Sequence, residues 1–258
     1  MSNDKSTKVR LDQLVVARGL AESRHKAQAL ILAGQVLVND APATKAGTQY
    51  PDDCEVRLRG EPARFVSRGG EKLEAMLEHL GERLVVEGQV ALDVGASTGG
   101  FTDCLLQRGA RHVIAVDVGY GQLAWKLQTD SRVTSIERLN ARNVAREDLR
   151  ARVSADVWPP VLAVVDVSFI SLRLVLPAVA AVLDHSGAPI VALVKPQFEA
   201  GRENVGKGGV VRGEVRQRAI DSVLRWLTDR GFEVRDTIDS PVAGPNGNVE
   251  ALAYLGAP

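Results

Sequence analysis

Residues 90–103 read VALDVGASTGGFTD, and this stretch decides the fold of the larger part of the chain. An apolar run ends at Asp93 and is followed by Gly95, a set of small residues and an apolar-periodic segment from Phe101 to Leu106. This order predicts a buried parallel strand, a tight glycine turn and a helix. Glycines let a ligand approach the backbone, and a helix N-terminus offers unpaired N–H groups, so the turn is a candidate ligand site.

A second apolar run, residues 112–116, also ends at an acid, Asp117, which at that place can bind both hydroxyls of a ribose. Two nucleotide cofactors fit this outline. The dinucleotide fingerprint G-x-G-x-x-G requires glycine where this chain has Ser97, because a diphosphate needs the bare backbone there. S-adenosylmethionine has no phosphate, tolerates Ser97 and Thr98, and as a cation suits Asp93. The pattern favours S-adenosylmethionine, while a dinucleotide and a purely structural strand–turn–helix remain open.

Strands and helices alternate over the rest of the chain. Strands are predicted near residues 133–136, 161–167, 189–194, 232–238 and 249–254, with helices at 174–183 and about 215–230. This alternation predicts an α/β fold, a Rossmann-like and mostly parallel seven-stranded sheet with helices on both faces. Since the carboxyl ends of parallel strands share one edge, we expect the ligand site at the edge defined by Asp93, Asp117, Asp166 and Lys195.

The first 60 residues predict a separate, small α+β domain that is large enough to fold alone. Residues 9–20 carry apolar side chains at helical spacing, Ser23 is a candidate N-cap for a second helix at 24–32, and strands are predicted near 35–39 and 56–58. The chain of 258 residues has 32 Lys+Arg and 32 Asp+Glu, so its net charge says nothing about partners. Local clusters of cations, however, indicate an anionic partner, with ordinary solvated surfaces as the alternative.

This N-terminal segment resembles the S4 RNA-binding domain, which is named after a ribosomal protein. The matching residues are Arg10, Leu11, Asp12, Leu14, Gly19, Ser23, Arg24, Ala27, Ile31, Gly34, Val36, Val38 and Asn39. The resemblance implies that Arg10, Arg24 and Lys26 face RNA phosphates, because such a helical pair suits contact with the RNA backbone. We also expect RNA contacts from Arg18, and from Arg64 and Arg68 in the predicted interdomain linker, residues 61–70.

Four charged residues stand at the ends or starts of predicted elements in the larger part of the chain: Lys72, Asp166, Lys195 and Glu250. We expect Lys72 to open a helix and Glu250 to lie in the last strand. A lysine that closes a buried strand, as Lys195 does before Pro196, is a costly placement unless it is paired or lies in a cleft. A salt bridge of Lys195 with Asp166 that merely ties two strand ends together is one interpretation, and catalysis is the other.

The segments Arg68-x-x-x-Lys72, Asp166-Val167-Ser168-Phe169 and Lys195-Pro196-Gln197-Phe198 resemble those of the FtsJ-like RNA 2′-O-methyltransferases, which use a Lys-Asp-Lys-Glu tetrad. With the S4 segment, nearly the whole chain is similar to the TlyA family, described as ribosomal RNA cytidine 2′-O-methyltransferases and sometimes labelled haemolysins. The resemblance implies an S4-like domain at 1–60 and a class I methyltransferase domain at 71–258. It also implies S-adenosylmethionine as cofactor and ribosomal RNA or a ribosomal subunit as partner. Gly69-Gly70 departs from the pattern, since bulkier residues are expected there.

The resemblance implies that Lys72, Asp166, Lys195 and Glu250 are the catalytic residues. A ribose hydroxyl must lose its proton as the methyl group transfers, and a lysine can accept that proton only if its ammonium form is disfavoured. Burial and the second cation would both do this at Lys195, while the two carboxylates hold the lysines in position. The expected cofactor contacts are Asp93, Gly95, Ser97, Thr98, Gly99 and Phe101 at the methionine part, Asp117 at the ribose and Asn140 at the adenine edge.

Two other functions compete with this one. A membrane-active haemolysin needs an amphipathic or spanning segment, and no apolar run reaches the roughly 18 residues of a membrane helix. An RNA-binding assembly factor without turnover would not need charges at all four positions. Cys54 and Cys104 lack metal-type spacing, and the polar start of the chain is not a signal peptide. We therefore expect a cytoplasmic monomer with no metal and no membrane partner.

Overall fold

The chain divides into two compact units, residues 1–63 and residues 64–258. The computed structural model describes residues 8–39, 41–52, 54–60, 64–244 and 247–258. Residues 61–63 of the predicted linker lie outside the described residues, and residues 64–70 belong to the second unit.

The N-terminal unit packs two helices and short strands around a small apolar core. Its elements are β1 Lys8–Arg10, α1 Leu11–Ala17, α2 Arg24–Leu32, β2 Val36–Val38, β3 Ala41–Pro42, β4 Gln49–Pro51 and β5 Val56–Leu58. The first helix is shorter than the predicted 9–20, because the chain before Leu11 is extended and pairs with β4. The predicted cap of α2 is confirmed: the Ser23 hydroxyl accepts the Lys26 N–H at 3.3 Å.

The second unit alternates strands and helices. Its helices are α3 Gly69–Leu80, α4 Gly100–Gln107, α5 Trp125–Gln128, α6 Arg146–Arg150, α7 Leu172–Val182, α8 Pro196–Glu199 and α9 Gly213–Asp229. Its strands are β6 Val90–Val94, β7 His112–Val116, β8 Val133–Ile136, β9 Leu162–Val165, β10 Pro189–Val194, β11 Glu233–Asp239 and β12 Ala251–Gly256. In the described part of this unit they form a seven-stranded sheet in the order β11-β12-β10-β9-β6-β7-β8.

The sheet is mostly parallel, as predicted. Strands β8, β7, β6, β9 and β10 pair in parallel, and β12 runs antiparallel to both of its neighbours. The central strands are buried on both faces, which is why they are near-continuous apolar runs rather than alternating patterns. In β6, Leu92 packs with residues of α7 and α9, whereas Ala91 packs with residues of α3 and α4. Because β8, β7, β6, β9 and β10 are parallel, their carboxyl ends meet at one edge of the sheet.

The start of α3 differs from the prediction. The helix begins at Gly69 rather than at Lys72, and Phe65 just before it is buried in the core of the second unit. A Cβ atom on Gly70 would lie 2.3 Å from the Phe65 ring, and one on Gly100 would lie 2.8 Å from the backbone nitrogen of Gly70. The close packing of α3 therefore requires glycine at positions 70 and 100, whereas a Cβ atom on Gly69 would make only ordinary contacts.

None of the helices in the described ranges has both the length and the apolar character needed to span a bilayer.

Candidate active site

The turn after β6 is held against the end of β9. Gly95 has a left-handed φ of 87°, and a Cβ atom there would lie 2.5 Å from the carbonyl oxygen of Asp166. Only glycine lets the two backbones come this close. Ser97, with φ 48°, donates its backbone N–H to Asp117 Oδ2 at 2.8 Å. The turn is thereby fixed between the ends of β7 and β9, beside Asp166.

Asp117 organises the loop after β7 as well as the turn. Its Oδ1 atom accepts the Gly119 N–H at 2.6 Å, while Oδ2 accepts that of Ser97. A cavity of about 640 Å³ opens next to it. Among the residues predicted to bind the cofactor, Gly95, Ser97, Asp117 and Asn140 line this cavity. We refer to it as the Asp117 cavity.

A second cavity, of about 420 Å³, holds the predicted catalytic side chains. It is lined by Lys72, Asp166 and Lys195, and we refer to it as the lysine cavity. The two cavities adjoin, since Gly95, Ser97, Asp166 and Ser168 line both. Further lining residues of the lysine cavity are Ser67, Arg68, Thr98, Phe101 and Gly244. The result is one extended site at the carboxyl edge of the sheet, with the lysines at one end.

Lys195 follows β10 and reaches the residues that follow β9. Its Nζ atom lies 2.6 Å from Asp166 Oδ1 and donates a hydrogen bond to Ser168 Oγ at 2.7 Å. The predicted ion pair is therefore present. Ser168 was not singled out from the sequence, although it stands in the segment that carries Asp166.

Lys72 is paired with Glu250 at 2.5 Å, between α3 and the start of β12. Glu250 is fully buried and lies immediately before β12, not within it as expected. Its second carboxylate oxygen accepts a hydrogen bond from Gln197 Nε2 at 3.2 Å. Gln197 is a further residue that the sequence reasoning missed, and it stands in the segment that carries Lys195. The four predicted residues thus form two lysine–carboxylate pairs.

Comparison with known proteins agrees with this geometry. A family model described as FtsJ-like methyltransferase matches residues 65–257, and a model described as S4 domain matches residues 9–52. The chain belongs to the FtsJ-like methyltransferase family. The resemblance expected from the sequence is thereby confirmed, and both cavities are lined by residues within the matched range.

Relatives extend over nearly the whole chain. The 16S/23S rRNA (cytidine-2′-O)-methyltransferase TlyA of Mycobacterium tuberculosis is 45% identical over 250 residues, which are 96% of this chain and 90% of that protein. A solved structure from Streptococcus thermophilus, described as a candidate haemolysin, is 44% identical with a TM-score of 0.72, covering 98% of this chain and 89% of that one. Aeropyrum pernix fibrillarin, solved with S-adenosylmethionine, is 18% identical with a TM-score of 0.51. It covers 86% of this chain and 94% of its own, and it shows the fold alone.

Two residues predicted to contact the cofactor line neither the Asp117 cavity nor the lysine cavity. Asp93 is fully buried; its Oδ2 accepts the Thr102 hydroxyl at 2.6 Å, and its Oδ1 has no hydrogen-bond partner in the described part of the chain. Burial raises the pKa of Asp93 to about 7. A Cβ atom on Gly99 would lie 2.3 Å from the Leu127 side chain. These residues support the turn from behind.

The cations predicted to bind RNA have different environments. In the N-terminal unit, Arg10 and Arg24 both pair with Asp12, Lys26 pairs with Glu22 at 2.5 Å, and Arg18 donates to the Asp52 carbonyl at 2.8 Å. In the FtsJ-like domain, Arg64 pairs with Glu74 at 2.5 Å and stacks on the Phe65 ring. Arg68 differs from Arg64 because it lines the lysine cavity.

The residues of the extended site fit S-adenosylmethionine. The turn is closely packed, the acid at the end of β7 faces a cavity, and no lysine or arginine other than Arg142 lines that cavity in the described ranges. A cavity lined by two carboxylates, Asp117 and Asp166, and by one arginine suits a nucleoside that carries no phosphate better than an anionic dinucleotide. The carboxylate of Asp166, at the junction of the two cavities, suits a positively charged sulfonium.

Proposed function

We propose that this protein transfers a methyl group from S-adenosylmethionine to the ribose 2′-hydroxyl of a cytidine in ribosomal RNA. The observation that carries the proposal is the convergence of Lys72, Asp166 and Lys195 at one cavity, which adjoins the cavity of Asp117. Ribosomal RNA and cytidine come from the name of the 45% identical TlyA protein. Since ribosomal subunits are its substrate, the enzyme works in the cytoplasm.

The cofactor is held along the extended site. Asp117 binds the ribose hydroxyls with the oxygen lone pairs that its two backbone contacts leave free, and Asn140 lies at the same cavity for the adenine edge. Ser97 and Thr98 line the lysine cavity, where the methionine part belongs. When bound, S-adenosylmethionine supplies an electrophilic methyl group on a sulfonium. Holding the reacting atoms in line is the largest contribution that such a site can make.

Lys195 takes the proton of the ribose hydroxyl. In its amine form Nζ can accept the proton from the 2′-oxygen, and the resulting ammonium is the species that pairs with Asp166 Oδ1 at 2.6 Å. Ser168 Oγ accepts a second N–H of the same ammonium. Asp166 and Ser168 thus hold Nζ in place at the cavity while it takes the proton.

Lys72 provides a fixed cation at the same cavity. Its ammonium is paired with the fully buried Glu250, which Gln197 also holds. A cation whose counter-ion is buried behind it favours negative charge on the oxygen that is losing its proton. Lys72 and Lys195 therefore have separate tasks, although both are lysines that line one cavity.

An exposed aromatic ring supports an unpaired base as part of the substrate. Phe169 lines the Asp117 cavity, is 89% exposed, and has a left-handed φ of 63° that is rare for a bulky residue. Its ring packs against Phe198 with 5.1 Å between centroids. An open aromatic face beside a methylation site is suited to stacking with an unstacked base.

Ribosomal subunits from cells that lack this protein are the substrate for the test. With S-adenosylmethionine, the wild-type protein should add 2′-O-methyl groups to ribosomal RNA, and mapping the modified nucleotides identifies the subunit and the base. The matched variant Asp117→Ala should lower cofactor affinity by about 10- to 100-fold, because it removes a charged acceptor, and should leave RNA binding nearly unchanged. Cofactor binding without methyl transfer to any ribosomal RNA would overturn the proposal in favour of an RNA-binding assembly factor.

A further inference from the structure

Asp12 is a buried carboxylate near the surface cations of the N-terminal unit. Its side chain is fully buried, at the start of α1. Oδ1 accepts a hydrogen bond from Arg10 Nε at 3.0 Å, and Oδ2 accepts bonds from Arg10 Nη2 at 2.9 Å, Arg24 Nη2 at 3.0 Å and Gln28 Nε2 at 3.0 Å. The bond from Arg10 holds the pKa of Asp12 well below its usual range, so Asp12 stays ionised.

The partners of Asp12 are far more exposed than Asp12 itself. The side chains of Arg10 and Arg24 are 41% and 54% exposed. Two guanidinium groups that meet on one carboxylate leave one net positive charge at the surface, with N–H groups that Asp12 does not use. The local backbone makes room for this arrangement, since a Cβ atom on Gly47 would lie 3.3 Å from Arg10 Nη1.

The other two cations predicted to bind RNA in this unit are held differently. Lys26 pairs with the exposed Glu22, four residues earlier in the chain. Arg18 donates to the backbone carbonyl of Asp52. Neither arrangement involves a buried charge. Burying a carboxylate is costly, and an apolar residue would serve the core better. A functional need to hold the two arginines in fixed positions would explain why a carboxylate is buried here.

We propose that Asp12 is a positioning residue for RNA binding, which holds the guanidinium groups of Arg10 and Arg24 together as a clamp for a phosphate of the RNA backbone. This inference rests on the proposed function, which supplies RNA as the ligand. A guanidinium presents its donors as a planar fork that matches phosphate geometry. An arginine held in place before binding has less conformational freedom to lose when the phosphate binds.

The variant Asp12→Asn separates positioning from simple charge, because the two predict opposite signs. The substitution keeps both arginines and makes the net charge more positive by one, so a surface that acts by charge alone would bind RNA more tightly. If Asp12 positions the arginines, the full-length variant should bind deproteinised ribosomal RNA about three- to tenfold more weakly. The slope of log affinity against log salt should flatten by up to about one unit for each phosphate that the variant no longer binds.

Glu22→Gln is the matched control. It also removes one carboxylate from the N-terminal unit and leaves the Asp12 contacts intact, so its RNA affinity should equal or slightly exceed that of the wild type. Circular dichroism during thermal unfolding checks that Asp12→Asn is folded. If it is not, Gln28→Ala replaces it, since that variant removes one of the four bonds to Asp12 and leaves both ion pairs. Its affinity loss should have the same sign and be smaller.

An unchanged or tighter RNA affinity of the folded Asp12→Asn variant, or of Gln28→Ala where that is the folded one, would overturn the inference. If the variant then shows only a lower melting temperature, the role of Asp12 is to stabilise the packing of α1 against α2. The proposed function fails in a different way, namely if the wild-type protein neither binds nor methylates ribosomal RNA. If the wild-type protein methylates ribosomal RNA and the Asp12 variant binds RNA as well as the wild type, only the proposed role of Asp12 is rejected.

Discussion

The two lysine–carboxylate pairs of the FtsJ-like domain have the same chemistry and different surroundings. Glu250, the partner of Lys72, is fully buried, whereas the side chain of Asp166, the partner of Lys195, is 22% exposed and lines both cavities. We refer to Lys72–Glu250 as the closed pair, because its carboxylate is buried. We refer to Lys195–Asp166 as the open pair, because its carboxylate lines the junction of the two cavities. A ligand in either cavity can therefore reach the carboxylate of the Lys195 pair, whereas the carboxylate of the Lys72 pair lies out of reach.

The closed pair depends on a close backbone approach. A Cβ atom on Gly244 would lie 2.3 Å from Glu250 Oε1, so the loop before β12 can cover the carboxylate only with glycine at that position. Gln197 holds the same oxygen. Solvent is thereby kept from the carboxylate of this pair, in contrast to that of Asp166. The difference between the pairs arises from what covers each carboxylate rather than from the lysines themselves.

The largest effect is expected from breaking the open pair at its lysine. Lys195→Ala should lower the single-turnover rate of methyl transfer by about 10²- to 10⁴-fold, the usual contribution of a positioned acid or base. Cofactor and RNA binding should persist. Lys195→Arg should fail as well, because a guanidinium does not give up its proton at working pH. Substantial turnover by the arginine variant would show that the ion pair alone suffices, and Lys195 would then be a positioning residue.

The second largest effect is a loss of free energy of unfolding, which should be greater when the closed pair is broken than when the open pair is broken. Glu250→Gln leaves the Lys72 ammonium without its buried counter-ion, which should cost about 3–5 kcal/mol of the free energy of unfolding. Asp166→Asn should cost less, since the side chain of Asp166 is 22% exposed and that of Glu250 is fully buried. Urea denaturation of both variants measures the difference.

A double variant is the control for this comparison. Lys72→Met combined with Glu250→Gln removes both charges of the closed pair, and should recover most of the lost stability because no unpaired charge remains buried. Equal stability losses for Glu250→Gln and Asp166→Asn would contradict the distinction between a closed and an open pair.

Local patterns predict much of the fold and the residue types of the site. The run 90–103 predicts β6, the turn and α4 because its signals are local: a buried apolar run, glycine and helical spacing. The limits of α1 and α3 depend on distant parts of the chain and are therefore missed. Lys8–Arg10 is extended because it pairs with β4, and the start of α3 packs against α4, where a Cβ atom on Gly100 would lie 2.8 Å from the backbone nitrogen of Gly70.

The same distinction holds for the site. Lys195 and Asp166 are predictable as a pair, since each follows a buried parallel strand and the two strands are neighbours in the sheet. The position of Asp93 behind the turn could not be inferred, because an acid at a strand end can face either a ligand or the helix that follows. Here it accepts the Thr102 hydroxyl from α4. The contact of Ser168 with Lys195 likewise depends on the conformation of the loop after β9.

The smallest effect on activity should come from Ser168, which contacts the lysine of the open pair. Its hydroxyl accepts a hydrogen bond from Lys195 Nζ at 2.7 Å, and its loss leaves Asp166 as the remaining partner of Nζ within the described ranges. One hydrogen bond to a charged group is worth about 1.5–3 kcal/mol when buried, and less at this exposed residue. We therefore expect Ser168→Ala to lower kcat about three- to tenfold, with a smaller change in KM for RNA.

Ser168→Thr is the matched control, because threonine keeps the hydroxyl and adds one methyl group. It should retain most of the activity, and both variants should unfold within about 0.5 kcal/mol of the wild type since the residue is exposed. Equal losses of kcat in the two variants would mean that the shape of the cavity matters at this position and the hydroxyl does not. Unchanged activity of the Ser168→Ala variant would mean that Asp166 orients Lys195 without help from the Ser168 hydroxyl.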